Sequence, residues 1–320
     1  MTSIRFLLAS FAAAAAFAQA AEPYPSKPIR IYVGYTAGGA VDTVARAIGQ
    51  QISSSLGQPV IVENKPGAGT NIAIKALIDS PPDGYTLMLT GNSLAANMAL
   101  FQPPPFDAER DVAPVALVGR VPVVLAAGMA SEFTTLRQVI DRAKASPGAV
   151  QYATPGNGST PHFAMEMLAS SAGVKLTHVP YKGGAQAITD VLGGQLPLVA
   201  VNALEALPQA RAGKLRVLAV MSPVRTSSLP EVPTVAESGW PGFEATVWYG
   251  LIAPARTPKD VVDKLHAAVQ QALATPDMRK RMTDTGGEVS PRSVTEFGTL
   301  IHEERLRYEK LAREANIRPD

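Results

Sequence analysis

At 320 residues with no cysteine, the chain can form no disulfide, thiol nucleophile or cysteine–metal site. Its 46% hydrophobic and 18% charged residues are those of a globular chain able to bury a core. A formal net charge of +2 leaves no basic stripe and argues against nucleic acid as a partner.

Arg5, an apolar run from Phe6 to Phe17 and then Ala18-Gln19-Ala20 have the charge, short apolar region and A-x-A site of a secretory signal peptide. Residues 1–20 are expected to be removed, with cleavage after about Ala20. That run, like every later one, is shorter than the roughly 18 apolar residues of a transmembrane helix. Without cysteine there is no lipid attachment site. A soluble, exported protein is expected.

The apolar run Ile29 to Val33 feeds into Gly34-Tyr35-Thr36-Ala37-Gly38-Gly39-Ala40-Val41-Asp42. Val41, Val44, Ala45, Ile48 and Ile52 then recur at helical spacing. Strand, glycine turn and helix follow one another. Two glycines at a helix start would let an anion approach bare backbone amides, or they are only a tight βα turn. Asp42 would suit the first-turn dipole as a helix-start residue.

Pro59 to Asn64 reads as a second strand, and Gly67-Ala68-Gly69-Thr70 opens a helix through Ile78. Tyr85 to Thr90 is a third strand ending in Gly91-Asn92-Ser93. Strands alternating with helices predict a parallel sheet covered on both faces, with ligands beyond the C-terminal strand ends.

After Pro103-Pro104-Pro105, Val115 to Val118 and Val121 to Ala126 read as two strands. Thr134 or Thr135 caps a helix through Ala145. The strand Val150 to Thr154 leads into a second glycine loop, Pro155-Gly156-Asn157-Gly158-Ser159-Thr160-Pro161, with Pro161 suited to a first helical turn. Leu176 to Val179, a helix from Gly184 through Leu192, Leu196 to Asn202 and Leu215 to Met221 continue the alternation. The middle of the chain repeats its start, so two α/β domains are expected to present glycine loops to a shared cleft. Phe243 to Ala253 is a longer β-like run that could carry the chain back into the first domain. Helices at Pro258 to Ala274, after Pro276, and at Val294 to Ala315 close the chain, the last with Glu, Arg and Lys at i,i+4 spacing.

Enzyme signals are weak. His162, His178, His266 and His302 are scattered, and neither H-E-x-x-H nor G-x-S-x-G occurs. No pair of carboxylates is placed by spacing as acid and base. The phosphate-loop pattern is absent, and Ile72 and Pro161 stand where G-x-G-x-x-G needs its last glycine. No catalytic residue, cofactor or metal is expected. His162 could bond a ligand beside its glycine loop or simply start a helix. Lys182 could hold an anion or be solvated. Trp248 and Tyr249 could stack on a ligand or belong to the core.

Across nearly its whole mature length the chain resembles a known family. The residues that carry this are Tyr24-Pro25-Ser26-Lys27-Pro28-Ile29-Arg30, Gly38-Gly39 with Asp42, Leu56-Gly57-Gln58-Pro59-Val60 and Glu63-Asn64-Lys65-Pro66-Gly67-Ala68-Gly69. They continue with Pro82-Asp83-Gly84-Tyr85-Thr86-Leu87, Gly156-Asn157-Gly158, His178-Val179-Pro180-Tyr181-Lys182-Gly183, Ala212-Gly213-Lys214-Leu215-Arg216 and Pro230-Glu231-Val232-Pro233-Thr234-Val235-Ala236-Glu237. In this order and spacing they look like the Bug, or TctC-type, periplasmic solute-binding proteins of tripartite tricarboxylate transporters.

The resemblance implies a type II periplasmic binding protein fold, with two doubly wound α/β domains around a central ligand cleft. Domain I would comprise 21–123 and 248–320, and domain II 124–247. It implies a monomer in the periplasm that captures a small organic carboxylate, whether mono-, di- or aromatic dicarboxylate, and delivers it to transporter membrane subunits. The alternative is a periplasmic sensor component that presents the bound carboxylate to a receptor. The ligand would be held chiefly by backbone amides, hydroxyls and waters from two loops. Tyr35, Thr36, Gly38 and Gly39 belong to the first, and Thr154, Asn157, Gly158, Ser159 and Thr160, with His162, to the second. Asn92, Ser93 and Asn202 are expected at the distal end and Trp248 as a wall. One departure stands out: Gly34-Tyr35 replaces the proline–aromatic pair of many relatives, and Ala37 lies where a second proline is common.

Overall fold

The structure is a computed structural model that describes residues 23–314, apart from 102 and 285. The expected export signal lies outside the described residues. The first apolar run forms β1 (Ile29–Val33), which leads through the glycine turn into α1 (Ala40–Leu56) and β2 (Val60–Asn64). A single 3-10 turn (Ala68–Thr70) precedes α2 (Asn71–Ile78), β3 (Thr86–Thr90), α3 (Ser93–Leu100) and α4 (Ala108–Asp111). β1 lies between β2 and β3, parallel to both. Ile29, Ile31 and Val33 are fully buried in one core cluster with Val44, Ile48 and Ile52 of α1, which is what the helical spacing of those residues demands.

β4 (Val112–Gly128) is one strand of 17 residues, where the sequence suggested two. Gly119 and Arg120, between the two expected runs, pair with Tyr249 and Trp248 without a break, and the register shifts lie just before them, at Pro114/Ala116 and Leu117/Gly119, where they add local bend without ending the ladder. The second half then repeats the first: α5 (Leu136–Ala145), β5 (Gln151–Thr154), α6 (Thr160–Ala172), β6 (Thr177–Pro180), α7 (Gly184–Leu192), β7 (Leu198–Asn202), α8 (Ala203–Arg211) and β8 (Leu215–Val220). Thr135 caps α5 through a reciprocal capping box with Gln138. The chain returns through β9 (Thr246–Pro254), followed by α9 (Lys259–Ala274), α10 (Pro276–Asp284), β10 (Glu288–Val289) and α11 (Val294–Glu314).

The sheet order is β2-β1-β3-β9-β4-β7-β5-β6, with β8 and β10 also on β4. The expected parallel arrangement holds within each repeat, for β1 with β2 and β3 and for β5 with β6 and β7. β4 and β9 are antiparallel to each other and to their neighbours. One carries the chain out of the first half and the other brings it back, so they must run in opposite directions. β4 pairs with β9 up to Pro122 and with β7 from Val123 onward. One strand thus runs through both half-sheets, flanked by β9 and β10 in the first and by β7 and β8 in the second. Among the described residues no helix is long and apolar enough to cross a membrane.

Candidate ligand-binding site

Five helices begin around one cavity between the halves, with about 430 Å³ of empty space partly open to solvent. Gly39, Ala40 and Val41 bring the start of α1, Asn92 and Ser93 that of α3, Ser159, Thr160 and Pro161 that of α6, Gly184 that of α7, and Asn202 and Glu205 that of α8. Tyr35, Gly91, Pro155, Val247 and Tyr249 complete the wall. The first turn of a helix leaves amide N–H groups without intrahelical partners and carries positive partial charge. Among the described residues no Lys, Arg or His side chain lines the cavity.

The first loop is held by Asp42. Its carboxylate accepts from the Gly38 N–H (3.0 Å), from Arg46 Nε and Nη2 (3.0 and 2.9 Å) and from Asn64 Nδ2 (3.0 Å). Asn64 Nδ2 also donates to the Tyr35 carbonyl at 3.0 Å, so the loop is pinned both to its own helix and to β2. Burial pushes the Asp42 carboxyl up, but the bonds from Arg46, Gly38 and Asn64 outweigh it and hold it below its usual range. Asp42 is therefore a structural helix-start residue.

Two contacts join this loop to the other half. The Thr36 N–H donates to the Lys182 carbonyl at 3.0 Å. The Ala40 N–H donates to Glu205 Oε1 at 2.9 Å. Glu205 is the third residue of α8, and Asn202 Nδ2 donates to its Oε2 at 3.4 Å. Burial raises the Glu205 carboxyl from 4.5 to about 6, against the lowering effect of the Ala40 and Asn202 bonds. Burial likewise pushes the Tyr35 phenol up to about 12, although a hydrogen bond with Ser93 opposes it. The hydroxyl of Tyr249 and Oδ1 of Asn202 are buried without a hydrogen-bond partner.

The second loop is braced from behind. Thr154 Oγ1 accepts from the Gly156 N–H (3.1 Å) and meets His178 Nε2 at 2.6 Å. Ser159 Oγ donates to the Gly156 carbonyl (2.6 Å) and accepts from the His162 N–H (3.4 Å), capping α6. His162 Nδ1 accepts from the Gly158 N–H at 3.4 Å, and its ring stacks on His178 with centroids 4.2 Å apart. Burial, helped by His162, pulls His178 down to about 3, so it is neutral at physiological pH.

Of the residues singled out in the sequence, Tyr35, Gly39, Asn92, Ser93, Ser159, Thr160 and Asn202 come together around the cavity. The Asn92 side chain is committed elsewhere: Nδ2 donates to Glu304 (2.7 Å) and to the Thr246 carbonyl (3.3 Å), and Oδ1 accepts from the Trp248 N–H (2.9 Å). Thr36, Gly38, Thr154, Asn157, Gly158 and His162 stand outside the lining. Gly158 touches Asn97 of α3, where a Cβ would collide with the Asn97 amide. Trp248 is not the wall. Successive strand residues face opposite ways, so Val247 and Tyr249 face the cavity while Trp248 packs on Phe297 at 5.4 Å. The Lys182 side chain is exposed and outside the lining. Sequence reasoning missed Glu205. The only signal was an acid three residues after the Asn that ends an apolar strand, the spacing of a helix cap.

A profile of the tripartite tricarboxylate transporter family receptor, TctC, matches residues 44–317. The chain belongs to this family. Among TctC relatives, protein BugT of Bordetella pertussis is 36% identical over 277 residues, 85% of this chain and 85% of BugT. The structure of the periplasmic binding protein BugD superposes with a TM-score of 0.89 at 32% identity, covering 93% of this chain and 100% of that one. Rpa4515 of R. palustris with adipate gives 0.89 at 31% identity, covering 93% and 100%. MatC (Rpa3494) of Rhodopseudomonas palustris with bound malate gives 0.86 at 32%, covering 90% and 99%. The motif-based resemblance to the Bug proteins and the expected periplasmic binding fold both hold. TctC-type chains are solute-binding proteins.

Proposed function

We propose that this protein is exported by residues 1–20, captures a small organic carboxylate in the periplasm and delivers it, as a monomer, to the membrane subunits of a tripartite tricarboxylate-type transporter. The observation that carries the reading is the cavity walled, among the described residues, by five helix starts and no cationic side chain. Amide dipoles and hydroxyls can hold an anion there without a permanent counter-charge. Ser93 and Thr160 bring hydroxyls to the cavity at the first residues of α3 and α6, while the Ser159 hydroxyl is spent on the Gly156 carbonyl. The Gly38 and Ala40 amides, by contrast, are already taken by Asp42 and Glu205, which favours α3 and α6 over α1 as the anion's seat. The relatives that hold adipate and malate support the same ligand class. The switch of β4 between partners at Pro122 and Val123 supports two moving domains, 21–123 with 248–320 and 124–247.

A thermal-shift screen over mono-, di- and tricarboxylates, aromatic diacids and amino acids tests the ligand class. At about 100-fold over Kd a ligand adds roughly 2.7 kcal/mol, several degrees for a chain of this size. A melting temperature that no carboxylate moves would overturn the reading.

A further inference from the structure

The cavity contains opposed electrostatics. Five helix starts favour an anion, yet Glu205, the one carboxylate in the lining among the described residues, repels it, and no described Lys, Arg or His side chain lines the cavity to compensate. Part of what Glu205 does is internal. It accepts from the Ala40 N–H at 2.9 Å and from Asn202 Nδ2 at 3.4 Å. An ionised carboxylate offers about four acceptor positions, so acceptor capacity is left over. Two further groups in the same wall have none of theirs used. The Tyr249 hydroxyl, on a residue 0% exposed, and Asn202 Oδ1, on a residue 6% exposed, have no hydrogen-bond partner. Tyr249 and Tyr35 lie close enough to Glu205 for its charge to act on both phenols.

In this set the carboxylate and amide oxygens only accept hydrogen bonds, and the phenol hydroxyl accepts as well as donates. Buried polar groups are costly when left unmade, and an ammonium brings three N–H donors and a positive charge. A ligand that is only a carboxylate leaves this set unsatisfied and adds a second negative charge beside Glu205. We propose that Glu205 is a specificity-determining residue, and that with Asn202 and Tyr249 it selects ligands carrying a cationic nitrogen as well as a carboxylate. The inference rests on the carboxylate reading above. The ligand is then zwitterionic at its recognition end: the helix starts of α3 and α6 take the carboxylate and Glu205 takes the nitrogen.

The test is calorimetric titration of the full chain with pairs that differ by one ammonium group: DL-aspartate and succinate, DL-glutamate and glutarate, DL-2-aminoadipate and adipate, DL-phenylalanine and 3-phenylpropionate. In the pair that binds best, the amino member is expected to bind at least tenfold more tightly. Glu205→Gln keeps the size and one acceptor oxygen, and should reduce that preference to threefold or less. A wild-type protein that binds the deaminated member equally well or better overturns the proposal. So does a folded Glu205→Gln protein that keeps the full preference, since Glu205 is then only a cap and a latch. Should Glu205→Gln fail to fold, Tyr249→Phe must cut the preference at least threefold, and an unchanged preference overturns the proposal. Alkylamines without a carboxylate serve as the last arm. If they match the amino acids, the carboxylate reading fails and the Glu205 subsite stands; if nothing in the panel binds, both fall.

Discussion

Asp42 and Glu205 both meet the start of α1, and they act on stability in opposite pH windows. Asp42 is held below its usual 3.8, so its contribution is present above that value and is lost as pH falls through its lower folded pKa. Glu205 is raised from 4.5 to about 6. Below 4.5 it is protonated whether folded or unfolded. Between 4.5 and about 6 the folded state holds the proton more tightly, so stability falls as pH rises through that window and is level above it. The cost is on the order of 1 kcal/mol, after discounting for the water that still reaches this side chain. Urea midpoints of wild type and Glu205→Gln from pH 4 to pH 7 measure it. The wild-type curve should drop relative to the variant, and parallel curves would mean that Glu205 is solvated in the ligand-free protein. The helix-start role of Asp42 was legible because an acid in a first turn has a known electrostatic reason. Glu205 was not legible, because its charge matters through Ala40, which lies 165 positions away in sequence. Trp248 shows the limit of resolution in a strand: β9 was legible, but a one-residue difference in facing decides whether a tryptophan or its neighbours face the cavity.

Helices with one apolar stripe were visible in the sequence, and those without one were not. α1 buries Val41, Val44, Ala45, Ile48 and Ile52 on one face and exposes Thr43, Arg46, Gln50, Ser54 and Ser55 on the other, so its period is plain. In α3 nearly every residue is buried, from Ser93 through Met98 and again at Leu100, which erases the periodic contrast. α8 contains Pro208, which reads as a breaker although its ring is accommodated inside the helix. α3 and α8, neither of them read from the sequence, both point their first turns at the cavity, so the cavity lining was only partly legible. The start of α6 is the testable case. Ser159 caps it and also ties the loop back through Gly156. Ser159→Ala should lower stability by about 1 kcal/mol and weaken ligand binding several-fold, because the loop loses its brace. A urea midpoint lowered with unchanged affinity would show that the cap supports the helix without shaping the site.

The two-lobed plan follows from the repeated strand, glycine loop and helix, and was readable from sequence. The antiparallel crossing of β4 and β9 was not, because period and composition do not encode strand direction. In the whole molecule the lobes meet at Thr36 with Lys182, Ala40 with Glu205 and Gly158 with Asn97. Gly183 sits against the Thr36 side chain, where a Cβ would collide with Oγ1. Gly183→Ala should therefore hold the lobes apart and weaken ligand binding at least tenfold, with the ligand-free melting temperature little changed. Small-angle scattering gives the complementary readout: ligand should shrink the radius of gyration of the wild type, and less so that of the variant. Equal contraction and equal affinity in both would place this contact outside the bound state.

The shared strand makes the connection a leaf spring and not a ball joint. β4 and β9 stay paired along Val112 to Pro122, so neither can bend or twist alone. Their ladder is stiff within the plane of the sheet and compliant across it. Motion between the lobes is thereby confined to about one arc, with a rest position and a restoring force. A molecule caught in the cavity is measured as a gauge block is measured by a caliper: one too long stops the jaws early, and the unspent bending shows up as lost affinity.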